Sequence, residues 1–348
     1  MHGLHKRLDG YVTSLSAFVL VTGGAGFIGS HLVERLVAEG ARVCILDNFS
    51  SGKWENIVSW KDRVEVIQGD IQDIDTVKKA VKGVDYILHQ AALRSVPKSM
   101  AQPQEYHDVN VTGLLNLLLA AKEAKIRKFV FASSSSIYGD VTQFPQKEGE
   151  EAEPISPYAI TKRLGEQYLR LFSKIYNIQT VSLRYFNVFG PRQSLDDEYA
   201  VVIPKFITCL FQKQSPPIYG DGTQSRDFTY VSNVVDANLA AIHSNVGSGE
   251  IINVACGKDQ TISFLAKTVA ELVNASNIKP IYLPKRPGDV HKTQADTTRL
   301  ETLLGVNSQV SFVEGLKRTI QWFQKECPSV LRQLPLNSNK LLDDPQIG

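Results

Sequence analysis

Six short runs rich in β-branched and aromatic residues recur along the first half of the chain: FVLVTG (18–23), RVCILD (42–47), RVEVIQGD (63–70), VDYILHQAA (84–92), RKFVFASS (127–134) and QTVSLRY (179–185). Segments of helical periodicity separate them, among them IGSHLVERLVAEG, DIDTVKKAVKG, TGLLNLLLAAKEAK and SPYAITKRLGEQYLRLFSKIYN. Strands that are apolar along nearly their whole length, alternating with helices, require a parallel sheet covered on both faces. The expected fold is therefore α/β, with a doubly wound parallel sheet.

After Tyr185 the rhythm gives way to Pro- and Gly-punctuated stretches such as GPRQSLDDEYAVVIPKF, PPIYGDGTQSRDFTYV and LPKRPGDVHKTQAD. The reading is a first domain over 1–185, with some later elements packing back onto it. A smaller α/β lobe follows over 186–327, and a polar tail over 328–348 is expected to be poorly ordered. With 348 residues, 43% of them hydrophobic, the chain has enough apolar material for two lobes.

Lys plus Arg (38) nearly balance Asp plus Glu (36), so no strong overall field would draw the chain to nucleic acid or an anionic membrane. Cys44, Cys209, Cys256 and Cys327 are scattered without metal-ligand spacing, so reduced core cysteines and no metal are expected. No apolar run reaches membrane-span length, and MHGLHKRLDGYVTSLSAF lacks an unbroken apolar stretch. A cytoplasmic enzyme acting on a small molecule is the expectation.

The first strand runs into VTGGAGFIGSHL, where Gly23, Gly26 and Gly29 are spaced GxxGxxG and the next helix begins. Such a loop turns tightly, lets the backbone approach a pyrophosphate and presents helix N-terminal N–H groups to it. Asp47 ends the second strand about twenty residues on, where a carboxylate accepts from both ribose hydroxyls and repels a 2′-phosphate. NAD is thus favoured over NADP. Asp70, at the end of the third run, reads either as a capping residue or as a group touching the adenine.

Tyr158 and Lys162 stand four apart on a predicted helix and share one face. A cation beside a phenol lowers its pKa from about 10, as a general base for an alcohol requires. Ser133 to Ser136 sit at the carboxyl end of the preceding strand, where α/β sheets place ligands. A hydroxyl there would bond the reacting oxygen while the tyrosine takes the proton and hydride leaves the same carbon. Two of the four serines are expected only to satisfy turn backbone. His89, in HQAA, reads as packing beside the cofactor.

With the glycine loop, Asp47, SSSSIYG and YAITK in place, the chain resembles the extended short-chain dehydrogenases/reductases, which are of Rossmann type. Within them it is most similar to the UDP-hexose 4-epimerases, in particular the UDP-N-acetylglucosamine 4-epimerase branch. The likeness runs from Phe18 to Trp322 through LDNFSSG, HQAALRSVPKS, LRYFNVFGPRQ, AVVIPKF, GDGTQSRDFTYV and RPGDV. It implies Ser134, Tyr158 and Lys162 as catalytic residues, with Lys162 also holding the nicotinamide ribose. It places NAD against Gly23, Gly26, Phe27, Ile28, Asp47, Asn48, Ser50, Gly52, Asp70, Ile71, Gln90, Ala91, Ala92 and Phe186.

The same resemblance puts a UDP-sugar against Arg94, Ser95, Ser134, Ser135, Asn187, Val201 and Thr293, with Val202, Lys205 and Tyr219 about the uridine. Arg226 and the RPGDV segment, through Arg286 and Asp289, would clamp the diphosphate; guanidinium forks suit that task. The implied reaction is oxidation at C4, rotation of the 4-keto sugar and return of hydride to its opposite face. A homodimer is implied too, and TGLLNLLLAAKEA, apolar nearly all round, suits a helix wedged between sheet and partner.

Three positions depart from that branch: Arg94 replaces a glycine, Val201 an alanine, and Thr293 stands at the gate that admits N-acetyl groups when small. Thr293 argues for a roomy pocket. Arg94 would fill space, meet a substrate carboxylate as in a UDP-uronic acid, or point to solvent. Relatives that dehydrate or decarboxylate carry an acid where this chain has Ser135 and Ser136, which disfavours both chemistries. An NAD-binding sensor without catalysis would be expected to lose the Tyr158–Lys162 pair, which is present.

Overall fold

The structure is a computed structural model that describes residues 17–194, 202–285 and 290–326. The expectations for Val201, Arg286, Asp289 and the 328–348 tail lie outside the described residues. All six expected strands form: β1 (Phe18–Thr22), β2 (Arg42–Asp47), β3 (Val64–Gln68), β4 (Tyr86–His89), β5 (Lys128–Ser134) and β6 (Gln179–Tyr185). Between them lie α1 (Phe27–Ala38), α2 (Ile74–Ala80), α3 (Val96–Ala101), α4 (Pro103–His107), α5 (Gly113–Ala124) and α6 (Pro157–Tyr176). The second half contributes α7 (Val202–Phe211), α8 (Val231–His243), α9 (Ile262–Leu272), α10 (Thr298–Leu304) and α11 (Phe312–Glu326).

A seventh strand, absent from the sequence reading, joins this sheet. The second half supplies seven strands, numbered β7 (Val188–Phe189), β8 (Pro217–Tyr219), β9 (Ser225–Asp227), β10 (Thr229–Tyr230), β11 (Glu250–Val254), β12 (Asp259–Thr261) and β13 (Ile281–Leu283). Of these, β11 pairs parallel with β6, so the sheet order is β11-β6-β5-β4-β1-β2-β3 with every neighbour parallel. The strand order reverses direction between β1 and β4, and the crevice outside the carboxyl ends at such a point is where doubly wound sheets hold ligands.

Both faces are covered, which is why the strands read as continuous apolar runs. Along β1, Val19 and Val21 join one core with Leu32 and Leu36 of α1 and Val234 of α8. The alternate residues Phe18 and Leu20 join the other, with Leu114 and Leu117 of α5 and Leu169 of α6. A third core, around Phe189, Phe206, Leu265, Leu316 and Phe323, sits in the second lobe. No described helix is long and apolar enough to cross a membrane.

Helix α6 positions the candidate chemistry, and its start is set locally. The Ser156 hydroxyl accepts from the Ala159 N–H at 3.2 Å and Pro157 occupies the first turn, where its missing N–H costs nothing. Gly165 then lets the helix come close to β5: a Cβ there would stand 2.5 Å from Cζ of Phe131.

Candidate active site

The glycine loop joins β1 to α1 through a left-handed turn at Gly23 (φ +67°), where a Cβ would meet the Ala91 nitrogen at 2.7 Å. A Cβ on Gly29 would stand 2.1 Å from the Gly23 carbonyl oxygen, so the helix can enter only if that residue is glycine. Gly26 caps α1 without any side-chain hydrogen bond, and Phe27 and Ile28 open its first turn. An N-terminus left open in this way offers its N–H groups to an anion. Ala91 and Gln90 follow β4 directly alongside; the Ala91 N–H donates to the Thr22 hydroxyl at 3.3 Å, and Ala92 continues the same segment.

Asp47 ends β2 and is held rigidly: it accepts from the Ala25 N–H at 2.9 Å and the Phe49 N–H at 2.8 Å. Burial pushes its carboxyl up from the ordinary value while those two bonds pull it back. A Cβ on Gly52 would stand 2.8 Å from this carboxylate, so the Asn48–Gly52 turn, with Ser50, folds closely around it. At Asp70 burial acts upward, yet bonds from the Gln72 N–H and the Asn48 amide (2.8 and 2.7 Å) hold the carboxyl below its usual range. Asp70 therefore fixes the turn that carries Asn48. Neighbouring Ile71 is buried in the core shared with α5. These residues fit a bound dinucleotide: an open helix end for the pyrophosphate and an oriented acid at the end of the adjacent strand for a ribose.

The end of β5 meets α6 through three consecutive residues. The Ala132 carbonyl accepts from Lys162 Nζ at 2.8 Å, and the Ser133 hydroxyl donates to Glu166 Oε1 at 2.6 Å. The Ser134 hydroxyl neighbours the Tyr158 phenol and favours its ionised form. Ser134 also accepts from the Ser136 N–H at 3.1 Å and its hydroxyl at 2.9 Å, capping the single turn Ser135–Tyr138. Only Ser134 serves turn backbone, not the expected two, because Ser133 faces the opposite way into a buried ion pair.

The expectation that Lys162 lowers the Tyr158 phenol is not met. Burial pushes the phenol above its ordinary value; the opposing influences are the Ser134 hydroxyl and the Arg94 guanidinium, with Tyr106 acting upward. The Lys162 ammonium is turned to the Ala132 carbonyl, 6.0 Å from the Tyr158 ring centre and 4.9 Å from that of Phe131. Removal from water lowers this lysine to about 7. Helical spacing set the shared face correctly but not the direction in which the ammonium points. His89 packs on Phe131 and pairs with the Thr22 hydroxyl at 2.7 Å; burial drives it down to about 3, so it is neutral.

Two residues that the sequence reading missed fix this region. Tyr106 sets its ring edge-on to Tyr158, centres 6.4 Å apart, and its hydroxyl accepts from the Ser95 N–H at 3.0 Å. Asn110 lies in a π-helical turn over Asp108–Thr112; its side chain bonds both main-chain groups of Leu93, each at 2.9 Å, and Thr161 of α6 at 3.1 Å. Arg94 thus extends, exposed, from a segment pinned on both sides. The available signal was a buried-type asparagine inside an apolar helix, where π-turns mark functional sites.

Asn187, two residues after β6 with φ +33°, donates to Thr293 Oγ1 at 3.0 Å and the Asp227 carbonyl at 3.2 Å. Phe186 beside it is fully buried against Tyr138. The Asp227 carboxylate accepts from the N–H groups of Cys256, Gly257 and Ala295, and burial raises it to about 7. Arg226 donates to the Ser225 and His291 carbonyls at 2.8 and 3.3 Å. Tyr219 lines a cavity of ≈ 260 Å³ with Gly220, Asp221, Gln224, Lys285, Val290 and His291. Val202 and Lys205 lie on α7, both partly exposed.

Comparison with known proteins agrees with this geometry. The sequence profile of the NAD dependent epimerase/dehydratase family matches residues 19–255. A putative UDP-glucose 4-epimerase of Methanocaldococcus jannaschii is 38% identical over 88% of this chain and 98% of its own. The structure of a UDP-N-acetylglucosamine 4-epimerase from Methanobrevibacter ruminantium, in complex with UDP-N-acetylmuramic acid, superposes with a TM-score of 0.85 at 43% identity, covering 88% and 98% of the two chains. A UDP-N-acetyl-alpha-D-glucosaminuronate decarboxylase of Bacillus cytotoxicus is 36% identical over 88% of this chain and 97% of its own.

Proposed function

The chain belongs to the NAD-dependent epimerase/dehydratase family and is an isomerase of the extended short-chain dehydrogenase/reductase type, and on that premise we propose that it interconverts the C4 epimers of a UDP-hexose or UDP-N-acetylhexosamine. The observation that carries this reading is the placing of Ser134 beside Tyr158 at the carboxyl end of β5. NAD, when bound, accepts the C4 hydride and gives it back. Tyr158 takes the C4 hydroxyl proton and later returns it, while Ser134 holds the same oxygen. Lys162, one turn along α6, would donate to the cofactor ribose. A general base of this kind contributes about 10²–10⁴-fold.

Asn187 and Thr293, bonded to each other, would face the hexose, and Arg226 and Arg286 the diphosphate. Thr293, a small buried residue, would leave room for an N-acetyl group where a bulky aromatic would not. Ser135 and Ser136 give no carboxylic acid at the hydroxyl block, which speaks against dehydration and decarboxylation. A uronate 4-epimerase is the second reading, favoured by Arg94, whose charge is felt at the Tyr158 phenol and would meet a C6 carboxylate. We also read the exposed apolar stripe of α6 (Ile160, Leu164, Leu171 and Ile175), with Leu119 of α5, as the face of a homodimer. Product analysis with UDP-glucose, UDP-N-acetylglucosamine and UDP-glucuronate in parallel tests the reading. Turnover of either neutral sugar supports it, exclusive turnover of the uronate selects the second reading, and no 4-epimer from any of them contradicts both.

A further inference from the structure

Behind the hydroxyl block lies a charge pair that the chemistry above does not use. Arg184 of β6 and Glu166 of α6 are each about 1% exposed. The guanidinium grips the carboxylate bidentately, Nε to Oε1 and Nη2 to Oε2, both at 2.8 Å. Oε1 also receives the Ser133 hydroxyl at 2.6 Å. In the β5–β6 register Ser133 stands directly opposite Arg184, so strand, neighbouring strand and helix meet at one carboxylate. On its other side Arg184 lies 4.7 Å over the Tyr138 ring, and the Tyr138 hydroxyl donates to Asn253 of β11 at 2.8 Å.

Tyr158, Lys162 and Glu166 occupy one face of α6 at successive spacings of four. Ser133 precedes Ser134, and Tyr138 closes the turn that Ser134 caps. The pair therefore touches both bodies whose relative position sets Ser134 against Tyr158: α6 through Glu166, and the β5 end with its turn through Ser133 and Tyr138. A pair this deeply buried is a weak source of stability, because desolvating two charges offsets most of their attraction and apolar residues of similar volume commonly do as well. What it supplies that apolar side chains cannot is direction, since two parallel N–H···O bonds fix translation and rotation of the helix on the sheet.

We propose that Glu166 and Arg184 are positioning residues for the reaction, holding Tyr158 and Ser134 in register so that both reach the same substrate oxygen. The inference rests on the Tyr158–Ser134 reading above. Its effect is on the chemical step and not on binding, because neither residue faces the cleft. Displacing a catalytic group by about 1 Å can cost on the order of 10²-fold.

The test is the double variant Glu166→Met with Arg184→Met, which keeps the volume and leaves no buried charge unpaired. The expected result is a protein that melts at or near the wild-type temperature and retains NAD. Its KM for the UDP-sugar should lie within about threefold of wild type, with kcat reduced about tenfold or more. A double variant as stable as wild type with kcat within about twofold would overturn the proposal, because the pair would then be packing alone. Should the double variant fail to fold, Ser133→Ala decides: it keeps the pair and removes only the strand-end bond. A fall in its kcat at unchanged KM supports the proposal, and an unchanged kcat overturns it. Wild-type protein inactive on every UDP-sugar would instead sink the proposed function, which separates the two failures.

Discussion

The Lys162 ammonium donates to the Ala132 carbonyl at 2.8 Å, while the phenol of Tyr158, on the same helical face, lies beside the Ser134 hydroxyl. The lysine therefore anchors α6 to the sheet, and the cation that eases ionisation of the phenol is Arg94. Replacing Arg94 with Gln should raise the phenol pKa and move the acid limb of the kcat/KM profile to higher pH. A profile that stays in place would show that Arg94 does not act on Tyr158.

Lys162 also makes a prediction about stability. Burial depresses it to about 7 from 10.5, so the folded protein favours the neutral amine while the unfolded chain keeps it charged up to the higher value. Between these values the unfolded state binds more protons, and stability rises with pH across that window. Lys128, lowered to about 8 by burial, acts in the same direction. In cofactor-free protein, Lys162→Met should flatten the rise in urea midpoint between about pH 7 and pH 10 without abolishing it. An unchanged slope would place the lysine in a more solvated setting.

How much of this was legible in the sequence follows from length and direction. The six strands declared themselves as apolar runs, and α6 by its helical period and its Ser156 cap. Strands β7 to β10, β12 and β13 are two or three residues each, too short to show alternation. The placement of β11 beside β6 depends on tertiary pairing. Within the site, the glycine loop, Asp47, Ser134, Tyr158 and Lys162 were all legible, since spacing and strand ends locate them. Glu166, four residues beyond Lys162, was on the correct face, but its partner Arg184 becomes visible only once β5 and β6 are in register. That Ser133 and Ser134 point to different partners is likewise a consequence of pleat and register that four identical residues cannot reveal.

Close packing of α6 on β5 gives a third expectation. Gly165→Ala would favour the helix by up to about 1 kcal/mol. The added methyl would stand 2.5 and 2.7 Å from two atoms of the buried Phe131 ring, and overpacking of this kind costs about 1–3 kcal/mol. The clash should prevail, lowering the urea midpoint and reducing kcat as the helix is pushed from Ser134. A variant at least as stable as wild type with full activity would contradict the close approach.

The central claim is that Tyr158 and bound NAD oxidise and re-reduce one carbon of the sugar. Its most direct test is to supply UDP-hexose carrying deuterium at C4 and follow the label into the epimerised product in ordinary water. The account expects the 4-epimer to keep its deuterium at C4, because the hydride returns from the cofactor to the carbon it left. The same reaction should be about 10²–10⁴-fold slower in Tyr158→Phe protein that still holds NAD. Loss of the label to solvent during epimerisation, or undiminished turnover by the phenylalanine variant, would contradict it.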